Sequence, residues 1–299
     1  MSPRIQTLAA FGAIYFLWGS TYIAIRVAVE TLPPLFAAGI RFAIAGIVLY
    51  IWQRTRGEPK PSRIEWRNLW VMGALLFLGG YAGLFWAEKS LPSGIASVLV
   101  ALLPIWIVLL ETLVLRTQRF KFVTAFAVLV GLAGVVEITR GKDHGKSVNL
   151  AACAAILFGG MCWALGTVLS KRMQLPESKA VSAGAQMICG GVLLLVGALL
   201  TGELSPFPHI SLHAALALGY LISAGSLVAF TAYMWLLHRM SSTKVTSYAY
   251  VNPVVALAIG YWLGGEAIHL NTLFGSVLVL ASVVMILTSE DESGGKQST

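Results

Sequence analysis

Two prolines lie inside long apolar stretches of the sequence, Pro104 in SVLVALLPIWIVLLE and Pro253 in YAYVNPVVALAIGYWLGGE. A proline in a helix interior removes a backbone donor and clashes with the carbonyl four residues earlier, at a cost of about 3 kcal/mol. At membrane depth, irregular backbone is tolerated where it lines a cavity, because a freed carbonyl can bond water or a solute there. Both positions therefore predict a polar binding surface, and a simple packing kink is the alternative interpretation.

Arg41 is a second candidate because it falls within an apolar stretch, where an ionised side chain is costly and is a functional candidate by default. One interpretation pairs its charge with a carboxylate near the outer ends of the helices, where Glu30, Glu88 and Glu266 are available. The other is an arginine whose long stem lets the charge reach the membrane surface. For Glu266 itself we predict a structural role that ties its helix to the following loop.

Glu111 lies deeper, two turns after Pro104 and in the inner half of its apolar stretch. A carboxylate at that depth could act as a proton or cation site. It could equally pair with Arg116 or with another basic residue near the inner surface. The sequence leaves both interpretations open.

Trp18 and Trp163 lie in the middle of apolar stretches, away from the interfacial belt in which tryptophan is usually enriched, and we predict that they line a cavity. Aromatic walls suit amphipathic or cationic solutes through apolar burial and cation–π contact. The predicted substrate-binding residues are Trp18, Tyr22, Trp86, Ser97, Pro104, Glu111, Trp163, Tyr248, Asn252 and Pro253.

We predict no catalytic residue, no metal site and no cofactor. Cys153, Cys162 and Cys189 all fall inside apolar stretches, and their spacing is typical of neither a zinc site nor a disulfide framework. Asp143 and Asp291 are the two aspartates of the chain, whereas a magnesium-dependent membrane transferase needs paired aspartates. The sequence therefore does not indicate an enzyme.

The elements that must position these residues are apolar runs of about 17–22 residues, a length that crosses a bilayer core of about 30 Å. Hydrophobic residues make up 57% and charged residues 11% of the chain, against roughly 45–50% and about 25% in soluble proteins. We predict an all-α polytopic membrane protein with ten transmembrane helices. The runs lie at about 8–28, 35–52, 69–87, 94–115, 122–139, 149–170, 180–201, 214–237, 245–263 and 272–288.

The net charge of +8 is distributed in a way that orients the chain and needs no polyanionic partner. With the N-terminus in the cytoplasm, 15 of the 21 lysines and arginines fall in inner loops and tails, and 5 fall in outer loops. This asymmetry follows the positive-inside rule. It predicts a multi-pass protein of a bacterial cytoplasmic (inner) membrane with both termini cytoplasmic and no nucleic-acid partner.

The two halves of the chain resemble each other. A shift of 145 residues places Trp18 on Trp163, Ala38-Gly39 on Ala183-Gly184, and Gly46 on Gly191; further along, a shift of 149 places Trp86 on Trp235, Ser97 on Thr246, and Pro104 on Pro253. We predict five-helix repeats at residues 1–144 and 145–288, followed by a disordered polar tail at 289–299. Because five is odd, the second repeat is inverted in the membrane, which is a recurring construction of secondary transporters.

Four short motifs carry a resemblance to a known family: WGS at 18–20, AGIRF at 38–42, PSGIA at 92–96, and NP at 252–253 followed by GE at 265–266. Together they resemble the EamA type of the drug/metabolite transporter superfamily over residues 8–288. The resemblance implies a cavity lined mainly by helices 1, 3, 4, 6, 8 and 9, and export of amino acids and other small metabolites. One departure is Thr117, which stands where the first repeat would carry the counterpart of Glu266.

We therefore expect a secondary transporter, an exporter of small metabolites such as amino acids or amphipathic drugs, working by alternating access around a midplane cavity. An uncoupled facilitator or channel and a lipid-linked flippase are the alternatives. An ATP-driven pump is disfavoured because GKDHGKS at 141–147 lacks the first glycine of a phosphate-binding loop and follows a helix. The expected partners are a small-molecule substrate, the lipid bilayer, and a proton or counter-substrate.

Overall fold

The computed structural model describes residues 3–114, 122–140, 142–143, 146–237, 239, 245 and 248–294. Over these residues the chain forms ten helical stretches, one for each predicted apolar run. They are α1 (Arg4–Val29), α2 (Pro34–Thr55), α3 (Arg63–Ala87), α4 (Ser93–Thr112), α5 (Phe122–Arg140), α6 (Leu150–Ser170), α7 (Lys179–Leu200), α8 (Leu212–Tyr233), α9 (Tyr248–Trp262) and α10 (Leu270–Gly294). The helix of α8 continues to Leu237, and the α5–α6 connection carries a short antiparallel hairpin, β1 (Lys142–Asp143) with β2 (Lys146–Ser147).

Eight of these helices, α1 to α8, are long and apolar enough to cross a membrane. The apolar part of α10, Leu270–Ile286, is slightly shorter, and the described part of α9 has 15 residues. The predicted class, an all-α polytopic membrane protein, is confirmed. We call the end of the bundle that carries the α1–α2, α3–α4 and α9–α10 loops the outer end.

Several helices begin at side chains that bond the free backbone amides of the first turn. Ser62 and Glu65 form a reciprocal capping box at the start of α3, with the Ser62 amide 2.6 Å from the Glu65 carboxylate. Asn149 accepts from the third residue of α6, and Ser211 caps α8 in the same way. These polar residues lie at the ends of the loops and therefore fix the residue at which the following helix begins.

The α3 and α8 helices each contain a π-helical segment, Gly73–Gly79 in α3 and Leu221–Val228 in α8. Shifted by 149 residues, the first segment falls at 222–228, within the second. Further π-helical segments lie at Ala13–Leu17 in α1 and at Leu110–Val114 at the end of α4. π-helical segments are rare in proteins, and those that occur are often found at functional sites.

The two prolines have different effects on their helices. In α4 the chain turns at Ala101 and Leu102, which separates Ser93–Val100 from Leu103–Leu109, and Pro104 lies in the first turn of the second segment. A missing amide costs little there, because first-turn amides have no intrahelical partner. In α9 the helix continues through Pro253 without a turn. The expectation of matched breaks therefore holds for α4 alone, and Pro253 costs α9 a single hydrogen bond.

The α2 and α7 helices pack closely along glycines, and their contacts are reciprocal. A Cβ atom added to Gly46 would lie 2.7 Å from the Ile188 amide nitrogen, and one added to Gly191 would lie 2.5 Å from the Ala43 amide nitrogen. These two contacts are related by the 145-residue shift. The same shift relates a second pair of contacts, Gly39 with Leu195 and Gly184 with Tyr50. Reciprocal contacts of this kind are expected when two equivalent units meet across a two-fold axis.

Two expectations concern residues at the limits of the structure. The α10 helix continues to Gly294, so residues 289–294 of the predicted disordered tail are helical, as an extension of the long apolar helix before them. Other expectations concerned residues that lie outside the described part of the chain: Arg116, Thr117, Arg119, Lys121, Lys244, Thr246, Ser247 and 295–299.

Candidate functional site

The first of two aromatic groups surrounds Trp18 of α1. Its ring centre lies 5.2 Å from that of Tyr233 in α8 and 5.0 Å from that of Tyr248 in α9. The indole nitrogen Nε1 donates to the Gly225 carbonyl at 2.9 Å, inside the π-helical segment of α8. Trp18 therefore joins three helices, and a hydrogen bond fixes the direction of its ring.

The second aromatic group surrounds Trp163 of α6, the residue that the 145-residue shift pairs with Trp18. Its ring centre lies 5.5 Å from Tyr81 and 6.3 Å from Phe77, both in α3. Phe42 of α2 packs edge-on against Tyr81 with a centroid distance of 4.6 Å. Tilted and edge-on pairs such as these are the favoured arrangements of aromatic rings.

The two aromatic groups are connected through Arg41 of α2. Its Nε donates to Oγ of Ser226 at 3.2 Å, next to the Gly225 carbonyl that accepts from Trp18, and its Cζ lies 5.5 Å from the ring centre of Tyr81. Tyr22 and Tyr248 lie near Tyr81. Tyr81, Tyr233 and Tyr248 are partly exposed, and Tyr22 is buried. Side chains of α1, α2, α3, α6, α8 and α9 thus meet within the bundle, and they form a polar centre with aromatic walls.

Four of the predicted binding residues, Trp18, Tyr22, Trp163 and Tyr248, belong to this centre. Trp86 does not: its surface is 47% exposed, and it borders a groove of about 490 Å³ at the outer end. That groove is lined further by residues of the α1–α2 and α7–α8 connections. The structure thus brings together the mid-helix aromatics and separates the one that lies near a helix end.

The remaining predicted residues have different surroundings. Ser97 is buried, and its hydroxyl donates to the carbonyl of Gly94 in its own helix at 2.7 Å. Asn252 is buried next to Pro253, and its side-chain oxygen Oδ1 has no hydrogen-bond partner among the described residues. After its turn α4 packs against α6, where a Cβ on Gly160 would lie 3.2 Å from Trp106. Pro104 is buried in the first turn of the same segment.

Glu111 forms an ion pair near the inner end of the bundle. Its Oε1 lies 3.0 Å from Nζ of Lys171, just after α6. The arrangement matches the second interpretation of this residue, a pair with an inner-side base. The partner is Lys171, whereas the sequence suggested Arg116, which lies outside the described residues.

Glu266 joins three parts of the outer end. Its Oε1 accepts from the Ser93 amide at 2.8 Å and from Nη1 of Arg26 at 3.0 Å, and its Oε2 accepts from the Gly94 amide at 3.2 Å. The two amides belong to the first turn of α4, where a carboxylate also meets the positive end of the helix dipole. Gly265, with φ of +62°, turns the chain so that Glu266 can enter this position. We call the set Arg26, Ser93, Gly94 and Glu266 the outer clasp.

The sequence predicted a structural role for Glu266, but with a different partner. It does not simply tie α9 to the loop that follows; it connects that loop to α1 and to α4. The available signal was the PSG motif before α4, because a helix that starts after Pro92 exposes free amides at Ser93 and Gly94. Sequence alone does not reveal which carboxylate reaches them.

Glu88 lies beside the outer clasp, just beyond the outer end of α3. It is 2% exposed, and neither carboxylate oxygen has a hydrogen-bond partner among the described residues. Burial, and secondly the charge of Glu266, raise the pKa of Glu88 well above its usual range, while Arg26 acts in the opposite direction.

We expect Glu88→Gln to raise stability at alkaline pH. Because the pKa of Glu88 is raised in the folded state, the contribution of this carboxyl group to the free energy of unfolding is complete below its unfolded pKa of about 4.3. The contribution is lost as the pH rises through the folded pKa. The wild type should therefore lose stability from about pH 5 upward, and the amide variant should lose less. Thermal unfolding in detergent from pH 5 to 8 measures both slopes. Glu30→Gln, an exposed carboxylate of the same end, is the control, and identical slopes for Glu88→Gln and wild type would contradict the assignment.

Arg41 is the residue that the predicted site omitted. It is 2% exposed, so its charge does not reach the membrane surface. Of its three suggested partners, Glu266 is engaged by the outer clasp, and no ion pair joins Arg41 to a carboxylate among the described residues. The sequence signal was present, because an ionisable residue inside a span is a functional candidate by default.

Over the described residues, ten helices with an apolar surface define a polytopic membrane protein. Among the described residues, no group of three or more His, Cys, Asp and Glu could hold a metal ion. A sequence profile of the EamA-like transporter family matches residues 7–140 and 150–288. The chain therefore belongs to this family and is a membrane transporter, as the resemblance of the short motifs indicated.

Similar proteins agree with this assignment. The chain is 39% identical to the "Uncharacterized inner membrane transporter YedA" of Escherichia coli (strain K12) over 290 residues, which cover 94% of this chain and 92% of that protein. It is 30% identical to "Protein PecM" of Dickeya dadantii (strain 3937), with 90% and 88% covered. A solved structure titled "Crystal structure of protein" shares the fold with a TM-score of 0.64 at 20% identity, covering 95% of this chain and 96% of the other.

Proposed function

We propose that this protein is a secondary transporter that exports small metabolites, such as amino acids or amphipathic drugs, across the bacterial inner membrane by alternating access. The observation that carries the proposal is the convergence of Trp18 and Trp163 on one polar centre. These residues occupy corresponding positions in the two matched stretches of the chain. A binding site shared by two equivalent halves can be opened to either side when the halves rock against each other.

The reciprocal glycine contacts between α2 and α7 support the two-fold relation that this mechanism requires. In this proposal, residues 1–144 and 145–288 are inverted five-helix repeats, and both termini are cytoplasmic, as the positive-inside rule favours. The α2–α7 contact then lies on the axis about which the halves rock. The π-helical segments of α3 and α8 lie next to the polar centre, where an irregular helix can change its hydrogen bonds at low cost.

The outer end carries several polar bonds between the halves. The outer clasp joins Glu266 to α1 and α4, and Glu203 of the α7–α8 connection accepts from the amides of Leu35 and Phe36 at the start of α2. These bonds support a conformation that is closed at the outer end. For an exporter, such a state is the one in which the site is offered to the cytoplasm.

The proposal predicts that locking the outer end stops transport. The hydroxyls of Thr31 and Ser211, on opposite halves, lie 3.1 Å apart. In a background without the three native cysteines, Thr31→Cys with Ser211→Cys should form a disulfide on oxidation. Saturable flux into liposomes should fall at least tenfold and return on reduction.

The single cysteine variants under the same oxidant are the control. Full flux through the locked protein would contradict alternating access. Flux that neither saturates nor shows trans-stimulation by unlabelled solute would identify a facilitator or channel, and movement of lipid-linked substrates alone would identify a flippase.

A further inference from the structure

Arg41 lies deep in α2 with almost no exposed surface. It is the eighth residue of the helix, so it lies about 10 Å below the outer end at 1.5 Å per residue. A guanidinium stays protonated in proteins, and taking it out of water is costly unless its charge and its donors find partners. The contacts of this side chain therefore need a physical account.

The contacts within the chain satisfy Arg41 only in part. Its Nε donates to Oγ of Ser226, in the π-helical segment of α8, at 3.2 Å. Its Cζ lies 4.8 Å from the ring centre of Phe42 and 5.5 Å from that of Tyr81, which are cation–π distances. The Nη1 atom is buried and has no hydrogen-bond partner among the described residues.

Arg26 shows what a structural arginine looks like in the same protein. Its Nη1 donates to the Glu266 carboxylate at 3.0 Å and to the Leu91 carbonyl at 3.3 Å. Arg26 thus has a compensating negative charge and stays partly exposed to solvent. Arg41 is more deeply buried, has no carboxylate partner among the described residues, and keeps an unpaired nitrogen.

The partly satisfied Arg41 side chain belongs to the polar centre. Its Cζ lies 5.5 Å from the ring centre of Tyr81, which in turn packs against Trp163. A solute held against Trp163 and Tyr81 would therefore meet a positive charge with a free donor.

We propose that Arg41 binds the carboxylate of the transported solute, and that the substrates are small organic anions with an apolar, preferably aromatic, body. The inference rests on the proposed transport function and narrows its substrates to organic anions, which leaves out zwitterionic amino acids. The planar guanidinium presents parallel N–H donors that match a carboxylate, and a low dielectric strengthens such charge-assisted bonds. The aromatic walls bury the body of the same molecule.

This assignment differs from the cationic solutes that aromatic walls alone suggested. A cation would approach the guanidinium against like charge in a medium that screens poorly. A zwitterionic amino acid would place its ammonium group close to Arg41, where no carboxylate forms an ion pair with the guanidinium among the described residues. An anion with one negative group is the solute that neutralises the buried charge.

The test compares four solutes with the same aromatic body and different charge: phenylacetate, phenylacetamide, phenethylamine and phenylalanine. Binding to the purified full-length protein in detergent is measured at pH 7 by titration calorimetry and by ligand-induced thermal stabilisation. We expect phenylacetate to bind at least tenfold more tightly than the neutral amide, and the cation to bind most weakly. Benzoate and indole-3-acetate with their amides extend the comparison to other ring sizes.

Arg41→Gln should remove the preference for the anion over its amide. The variant should fold, since a neutral amide avoids the desolvation cost of a buried charge that has no compensating partner. Arg41→Lys keeps the charge but lacks the planar fork, and it should retain a weakened preference. Arg56→Gln is the matched control, because Arg56 lies at the other end of α2, with its Cζ 4.5 Å from the ring centre of Trp52.

Equal binding of anions and amides to the wild type would overturn the proposal, and so would an unchanged preference in Arg41→Gln. Tighter binding of phenethylamine, or binding of phenylalanine alone, would overturn it in favour of a cation or a zwitterion. The readout is equilibrium binding and does not depend on flux. Charge-selective binding without saturable flux would refute the transport mechanism alone, and saturable flux without charge selectivity would refute this inference alone.

Discussion

Glu266→Ala is expected to lower the stability of the protein by about 2–4 kcal/mol and to loosen the outer end. The substitution removes the acceptor of two buried amides, those of Ser93 and Gly94, and each buried donor left without a partner costs about 1–3 kcal/mol. The ion pair with Arg26 adds little, because that side chain is 30% exposed and solvent weakens the interaction.

Two measurements check this expectation. Thermal unfolding in detergent gives the loss of stability. Hydrogen–deuterium exchange of the peptide that contains Ser93 and Gly94 reports whether α4 loses its first turn. Exchange at that turn should become at least tenfold faster in the variant, because its amides lose their acceptor.

The matched control is Arg26→Gln, which removes the exposed partner of Glu266 and leaves both amide bonds in place. It should lose less than about 1 kcal/mol, as exposed pairs usually do. Equal losses in the two variants would mean that the ion pair, and not the helix cap, holds the outer clasp together. If hydrogen exchange at Ser93 and Gly94 is unchanged in Glu266→Ala, the outer clasp does not hold the first turn of α4.

Gly191→Ala is expected to destabilise the protein by about 1–3 kcal/mol, the usual cost of overpacking. The new Cβ would lie 2.5 Å from the amide nitrogen and 2.8 Å from the Cα of Ala43. Both obstacles are backbone atoms that no rotamer change can move, so α2 and α7 must separate. Close backbone approach at small residues is a main source of attraction between helices in a membrane.

Gly197→Ala, in the same helix, is the control for this variant. Its added Cβ would lie 3.5 Å from a methyl group of Leu35, which is an ordinary contact. Alanine is also the better helix former by up to about 1 kcal/mol, so this variant should match or exceed the wild type. Gly46→Ala should behave like Gly191→Ala, because the corresponding contact faces the Ile188 amide at 2.7 Å. Thermal unfolding in detergent ranks the three variants, and a Gly191→Ala protein as stable as Gly197→Ala would contradict the contact.

The helices and the class of protein could be predicted because apolar run length is a property of the local sequence. Each of the ten predicted runs corresponds to a helical stretch, and Ser62, Asn149 and Ser211 mark helix starts by capping chemistry that is also local. The prolines show the limit of local reasoning. Pro104 and Pro253 correspond in sequence, yet α4 breaks and α9 continues, because the outcome depends on what each helix packs against.

The candidate site was predictable to the extent that its members lie in the middle of a span. Trp18, Tyr22, Trp163 and Tyr248 meet in the polar centre, whereas Trp86, near a helix end, lies at the outer groove. The sequence showed Arg41 as a charged residue in an apolar run. It did not distinguish a side chain that extends to the membrane surface from one that is buried. The distinction required the positions of Ser226 and Tyr81 on other helices.

The sequence by itself determined the membrane-spanning class, the ten helices, the resemblance between the two halves and the family. Only the tertiary structure decided which side chains meet: Glu266 with the first turn of α4, Gly191 with Ala43, and Arg41 with Tyr81 and Ser226 rather than with a carboxylate. The physical reason is that lipid and a neighbouring helix are equally apolar. Hydropathy therefore marks a span without marking the face that is buried against protein, and the pairing of polar groups across helices depends on that face.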